Sequence, residues 1–153
     1  MINLKKAGKK YKYIEHLSDT GIEFYGKTLE ELFENAGEGM FSIICDLKMV
    51  EPLDRRNVRI VRKDTGLENL LVLWLEKLLY LYEIDNILFS RFKVGKIHKR
   101  NGRIILAAEI FGQKVDLNKH DIRTIIKAPT YHMLEVKKDS RHSSWEGKVI
   151  FDV

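Results

Sequence analysis

The stretch from Asn69 to Tyr82 is the feature that most restricts how this chain can fold. It carries Leu70, Leu71, Val72, Leu73, Trp74 and Leu75 without interruption, then Glu76 and Lys77, then Leu78, Leu79, Tyr80 and Leu81. A bilayer span needs about 20 consecutive apolar residues, and the two charges divide this run well before that length. It is therefore a helix covered on most sides, with Leu70, Leu71, Trp74, Leu78 and Leu81 as its deepest stripe. Thr65 and Glu68 have the spacing of a capping box and predict its start. Such a helix requires other layers around it, and 153 residues suffice for one domain with a core of its own.

A second helix is predicted from Thr28, where Thr28 and Glu31 form another capping box. Leu29, Leu32, Phe33, Ala36, Met40, Phe41 and Ile44 follow at helical spacing and define one face to lie against a sheet. Gly37 and Gly39 interrupt a good helix former and point to close approach or local weakness. The remaining segments read as extended: Tyr11 to Ile14 and Ile22 to Gly26 alternate with period two, Asn57 to Lys63 alternates along a charged face, Ile87 to Ile97 and Ile104 to Phe111 flank a hairpin signal, Met133 to Lys137 looks extended, and Trp145 to Val153 is the last strand. Asn101 and Gly102 tolerate the positive φ of a two-residue hairpin turn, which makes the pairing there antiparallel. Asn57 to Lys63 reads as an outer strand with a charged face, and Pro129 suits an edge or a bulge. The fold class is α+β, an antiparallel β-sheet domain with two long helices packed on the sheet. Residues 1–10, rich in lysine, form a flexible basic arm, and 11–153 a single domain.

Charge and cysteine content narrow the function classes. The 27 Lys and Arg exceed the 22 Asp and Glu by five, an excess that favours polyanions weakly. A single cysteine, Cys45, excludes an internal disulfide; following Ile43 and Ile44, it reads as a buried small hydrophobe. With no signal-peptide pattern and no span, the expected compartment is the cytoplasm. His16, His98, His120, His132 and His142 have no spacing that builds a transition-metal site, and no phosphate loop, nucleophile elbow or kinase signature occurs.

Two places hold carboxylates at strand ends. Asp19 follows Ser18 and precedes Thr20 and Gly21, the composition of a turn, and its side chain can cap a backbone N–H or ligate a cation. Asp152 and Val153 close the apolar run Val149, Ile150 and Phe151, placing a side-chain carboxylate and main-chain oxygen together. Paired carboxylates near a strand end can hold a hard cation, and an ordinary surface terminus is the other reading.

Five blocks, in order, resemble the archease family: Glu15 to Gly21; Gly26 with Thr28 to Phe33; Leu73 to Tyr80; Lys127 to His132; and Ile150 to Val153. The similarity runs from about Tyr11 to Val153. Pro129 stands where an aliphatic residue is more usual in that family, and the basic arm lies outside the similarity. The resemblance implies a small α+β protein that is not itself a ligase. Such a protein works with the tRNA-splicing RNA ligase, promoting guanylylation of the ligase's active-site histidine and its multiple turnover. It also implies a divalent cation, calcium, held by the carboxylates of Asp19 and Asp152 and main-chain oxygen of Val153. Lys127 would pair with the acidic cluster or reach the ligase's nucleotide site, and His16 and His132 would orient the carboxylates.

Three functions follow as expectations. The leading one is an accessory activator that docks an acidic, cation-bearing tip at the ligase. A second is a basic RNA-binding module delivering tRNA through the Lys93 to Arg103 hairpin. The third is a metal-dependent hydrolase using Asp19, Asp152 and His132, which no activated nucleophile supports.

Overall fold

A computed structural model describes residues 8–14 and 19–153. The expected basic arm lies outside the described residues except for 8–10, and so does His16. Among the described residues, nine strands, β1 Tyr11–Tyr13, β2 Thr20–Gly26, β3 Asp54–Lys63, β4 Ile87–Val94, β5 His98–Arg100, β6 Arg103–Lys114, β7 Ala128–Pro129, β8 Glu135–Asp139 and β9 Ser144–Asp152, accompany helices α1 Leu29–Ile44 and α2 Leu67–Asp85. All the pairings are antiparallel, and the strands divide into two sheets where the sequence reading had one. The first has the order β1-β2-β9-β7 with β8 also on β9; the second has β3-β6-β4 with β5 also on β6.

Helix α1 joins them. Leu32, Phe33, Ala36, Met40, Phe41 and Ile44 are buried, as the helical spacing predicted, and contribute to one apolar cluster shared with both sheets and α2. Gly37 and Gly39 serve close approach: a Cβ at 39 would stand 2.7 Å from Ile22 Cδ1 on the first sheet, and one at 37 would stand 3.2 Å from Phe92 Cδ1 on the second. Thr28 caps the helix, its hydroxyl accepting from the Glu31 N–H at 3.1 Å.

Helix α2 buries Leu70, Leu71, Val72, Trp74, Leu75, Leu78 and Leu79. Trp74 is fully buried and donates its indole N–H to the Phe33 carbonyl at 2.9 Å, tying the two helices together and satisfying a donor that would otherwise cost about 1–3 kcal/mol. Two expectations need correction here. Leu81 is only partly buried, because the stripe turns toward Leu75 and Leu79. The Thr65 capping box does not form: Gly66 at φ 107° is the N-cap, and the Thr65 hydroxyl instead accepts from the Asn69 side chain at 3.0 Å. Among the described residues no helix is long and apolar enough to cross a membrane. The turn Asn101-Gly102 has positive φ at both residues, 52° and 74°, as the hairpin signal required.

Candidate functional site

The end of the first sheet gathers the residues singled out in the sequence. In β2, Thr20, Ile22 and Phe24 face the core, opposite Phe151, Val149 and Gly147 of β9. Period two then sends positions 19, 21 and 23, and 152, 150 and 148, to the outer face. Thr20 pairs with Phe151 at the end of the ladder, so Asp19, in the bend before β2, and Asp152, the last residue of β9, each lie one position beyond that pair. On its other side Asp152 pairs with Ala128 of β7. At the tip Asp19 stands in the bend that leads into β2 and Asp152 is paired with Ala128; both acidic residues are exposed.

Local chemistry explains why the strands meet this closely. A side chain at Gly21 would put its Cβ 2.6 Å from Ile150 Cδ1 and 3.0 Å from the Val149 carbonyl, so the residue two positions in from Asp19 has room for hydrogen only. Beyond β9, the Lys127 N–H donates to the Asp152 carbonyl at 2.8 Å. Thr130 donates twice to the Ile150 carbonyl, from its N–H at 2.9 Å and its hydroxyl at 2.8 Å. These bonds clamp Lys127 to Thr130 along the edge of β9, where Pro129 needs no donor of its own. The Thr130 hydroxyl was not singled out in sequence, although its place directly after an edge proline is the available signal. The Asp152 side chain stays exposed beside these bonds.

Lys127, Asp152 and Val153 thus share the end of β9, and Asp19 lies at the end of β2, the strand paired with it. His132 lies in the exposed turn between β7 and β8, and no hydrogen bond ties it to a carboxylate among the described residues. The other described histidines are engaged elsewhere. Buried His120 accepts the Asp116 N–H at Nδ1 and lies 2.9 Å from the Met49 carbonyl through Nε2, so the proton on Nε2 is donated there. His142 meets Asp139 at 2.9 Å and holds that carboxyl below the usual range. Among the described residues no three of His, Cys, Asp and Glu gather closely enough to hold a metal ion by themselves. Cys45 caps the end of α1, and burial pushes its thiol up to about 11, the behaviour of an inert core cysteine.

Known proteins of the same kind share this corner's whole framework. The model of the archease protein family matches residues 11–153, both sheets and both helices included. The chain belongs to the archease family. It is 40% identical to the protein archease of Methanosarcina barkeri over 150 residues, which covers 98% of this chain and all of the relative. With the protein archease of Pyrococcus furiosus it shares 35% over 147 residues, covering 95% and 99%. The solution structure of Methanobacterium thermoautotrophicum protein 1598 superposes with a TM-score of 0.79 at 34% identity, covering 94% of this chain and 98% of that one. The archease relatives span nearly the same length, so the two-sheet arrangement is read over the full family unit.

Proposed function

We propose that this archease-family chain is an accessory protein of the tRNA-splicing RNA ligase, promoting the ligase's guanylylation and repeated turnover while the bond-forming chemistry stays in the ligase. The observation that supports it is the β2–β9 register, whose last pair, Thr20 and Phe151, leaves Asp19 and Asp152 as the adjoining residues at an exposed sheet end, with Lys127 bonded to Asp152, in a chain matched by the family from end to end of that framework. Two carboxylates and the main-chain oxygen of Val153 form an all-oxygen donor set, which suits calcium; water and groups of the partner would complete the 6–8 ligands that calcium takes. When bound, the cation supplies positive charge that can steady phosphate oxygens at the ligase's nucleotide site. The Lys127 ammonium supplies a second, mobile positive charge at the same corner. The clamp of β7 on β9 holds Lys127 at the corner by its backbone and leaves its side chain exposed.

The test combines the chain with the ligase of its own source, guanosine triphosphate and RNA ends bearing a cyclic phosphate and a 5′-hydroxyl. Wild type should raise both the guanylylated fraction and the number of turnovers. Asp19→Ala and Asp152→Ala should each remove most of that gain while remaining folded, and Lys127→Ala should reduce it. Undiminished activation by both aspartate variants would defeat the assignment of the corner.

A further inference from the structure

The two sheets treat charge on their exposed faces in opposite ways. Across the first sheet, one row runs Lys12, Glu23, Lys148, Glu135, alternating in sign, with ion pairs of 3.3 Å between Lys12 and Glu23 and 3.8 Å between Lys148 and Glu135. In that row each charge finds its partner within the sheet, since opposite charges side by side stabilise a sheet and like charges destabilise it. The second sheet does the reverse. At one end Arg103 of β6 pairs with Lys63 of β3 on one side and Arg100 of β5 on the other, three cations abreast.

The rest of that face continues the pattern. The period of two in β6 sends Arg103, Ile105, Ala107, Glu109 and Phe111 outward, while Ile104, Leu106, Ala108 and Ile110 are buried. The matching outward positions are Arg55, Asn57, Arg59, Val61 and Lys63 on β3, and Arg91 and Lys93 on β4. Seven cationic residues thus share the face with one carboxylate, Glu109, already held by Arg55 at 3.2 Å. The face's excess of six exceeds the +5 of the whole chain, so the cationic surplus is concentrated here. Among the described residues, none of the other six cations lies within ion-pair distance of a carboxylate. Phe111 is half-buried in this strip, with the Arg91 guanidinium 5.5 Å from its ring centre.

We propose that the outer face of the β3-β6-β4 sheet is a docking strip for the phosphate backbone of single-stranded RNA. Arg55 to Lys63 spans about 27 Å along the sheet and β3 to β4 about 10 Å across it, a long, narrow strip that suits one extended strand. Five of the seven cations are arginines, whose planar forks meet phosphate oxygens in pairs. An anionic membrane would be expected to draw on exposed large apolar side chains, and none stands at the outward positions of these strands; exposed Tyr80 of α2 lines a groove at the β3 edge that Arg59 also lines. An acidic protein surface would need an apolar anchor at the centre of its interface, and Phe111 is already covered by Arg91. With one aromatic and mostly cations, the strip grips backbone and does not read sequence. The choice of nucleic acid rests on the face alone; the choice of RNA over DNA rests on the function proposed above.

The sequence reading placed an RNA interface on the hairpin from Lys93 to Arg103; the strip includes that hairpin's outward cations but adds β3, which contributes three of the seven. Fluorescence anisotropy of the full chain with a labelled single-stranded RNA of about 20 nucleotides, titrated at several salt concentrations, tests the proposal. Wild type should give a log–log salt slope near −3, for about four phosphates neutralised at about 0.7 each. Arg59→Glu with Arg103→Glu should weaken binding at least 30-fold and flatten the slope, and the same pair changed to Gln should fall between that and wild type. Reversing Lys27 and Lys48, exposed and off the strip, changes net charge equally and should cost less than threefold. Circular dichroism checks that each variant folds. The proposal is overturned if the Arg59 and Arg103 pair binds within twofold of wild type, or if the Lys27 and Lys48 pair loses as much. It is overturned equally by phosphatidylserine vesicles or polyglutamate binding more tightly than RNA, or by DNA of the same sequence binding tenfold more tightly. Ligase activation by Asp19 and Asp152 variants is measured separately, so failure of the strip and failure of the corner give different results.

Discussion

Neutralising Asp19 should have opposite effects with and without a divalent cation. Asp19 and Asp152 each lie one position past the last pair of the β2–β9 ladder, Thr20 and Phe151, and directly opposed strand positions hold their side chains roughly 5 Å apart, the separation the cation-site proposal requires of the two carboxylates. Both are exposed, and two unit charges at that separation in a high-dielectric setting repel by about 1 kcal/mol at low ionic strength. Asp19→Asn keeps the side chain's shape and its ability to accept a backbone N–H, and removes the repulsion. In chelator and low salt the variant should therefore be the more stable protein, by up to about 1 kcal/mol, or a Tm rise of about 2–4 °C for a chain of this size. Calcium at roughly 100 times its Kd should then add about 2.7 kcal/mol to wild type, or about 5–10 °C, and much less to the variant, so their order inverts. Thermal unfolding followed by circular dichroism, in chelator and in calcium, reads both arms. If Asp19→Asn is less stable in chelator and calcium moves neither protein, Asp19 is a turn former and the reasoning from register to cation site is wrong.

Two further predictions probe the framework. Gly147→Ala places a Cβ 2.4 Å from the Phe24 ring and 2.8 Å from the Glu135 carbonyl, so it should cost about 1–3 kcal/mol in urea unfolding; a change below about 0.5 kcal/mol would mean that the Phe24 ring does not lie over β9. Burial, with help from neighbouring Glu31 and Glu30, raises the carboxyl of Glu34, against the pull of its 2.8 Å bond from the Val94 N–H. A carboxyl raised on folding binds its proton more tightly folded than unfolded, so its charge weakens the fold as pH rises through that pKa and not below the ordinary carboxylate range. Glu34→Gln, which keeps an acceptor for Val94, should raise Tm by about 1–3 °C at pH 7 and by nothing near pH 4; a gain that persists unchanged at low pH would refute the charge explanation.

Local pattern and tertiary pairing each decided a different part of this protein. The α1 face was legible from Leu29 to Ile44 because a 3.6-residue repeat is a local property, and so was the Asn101-Gly102 turn, whose positive φ values are a demand on two residues alone. The same holds for the burial of α2, whose apolar run admits no other placement. The Thr65 box failed because Asn69 competes for the Thr65 hydroxyl and Gly66 offers its own cap geometry, a contest among three neighbours that spacing does not resolve. Period two in β2, β3, β6 and β9 sorts each strand's residues onto two faces, which is why Asp19 and Asp152 could be identified as strand-end carboxylates and Asn57 to Lys63 as an outer strand with a charged face. Which strand lies beside which is a matter of long-range hydrogen bonding between segments far apart in the chain. Only that pairing divided the strands into two sheets, set β2 beside β9 from opposite ends of the chain, and stood Arg103 between Lys63 and Arg100 on one cationic face.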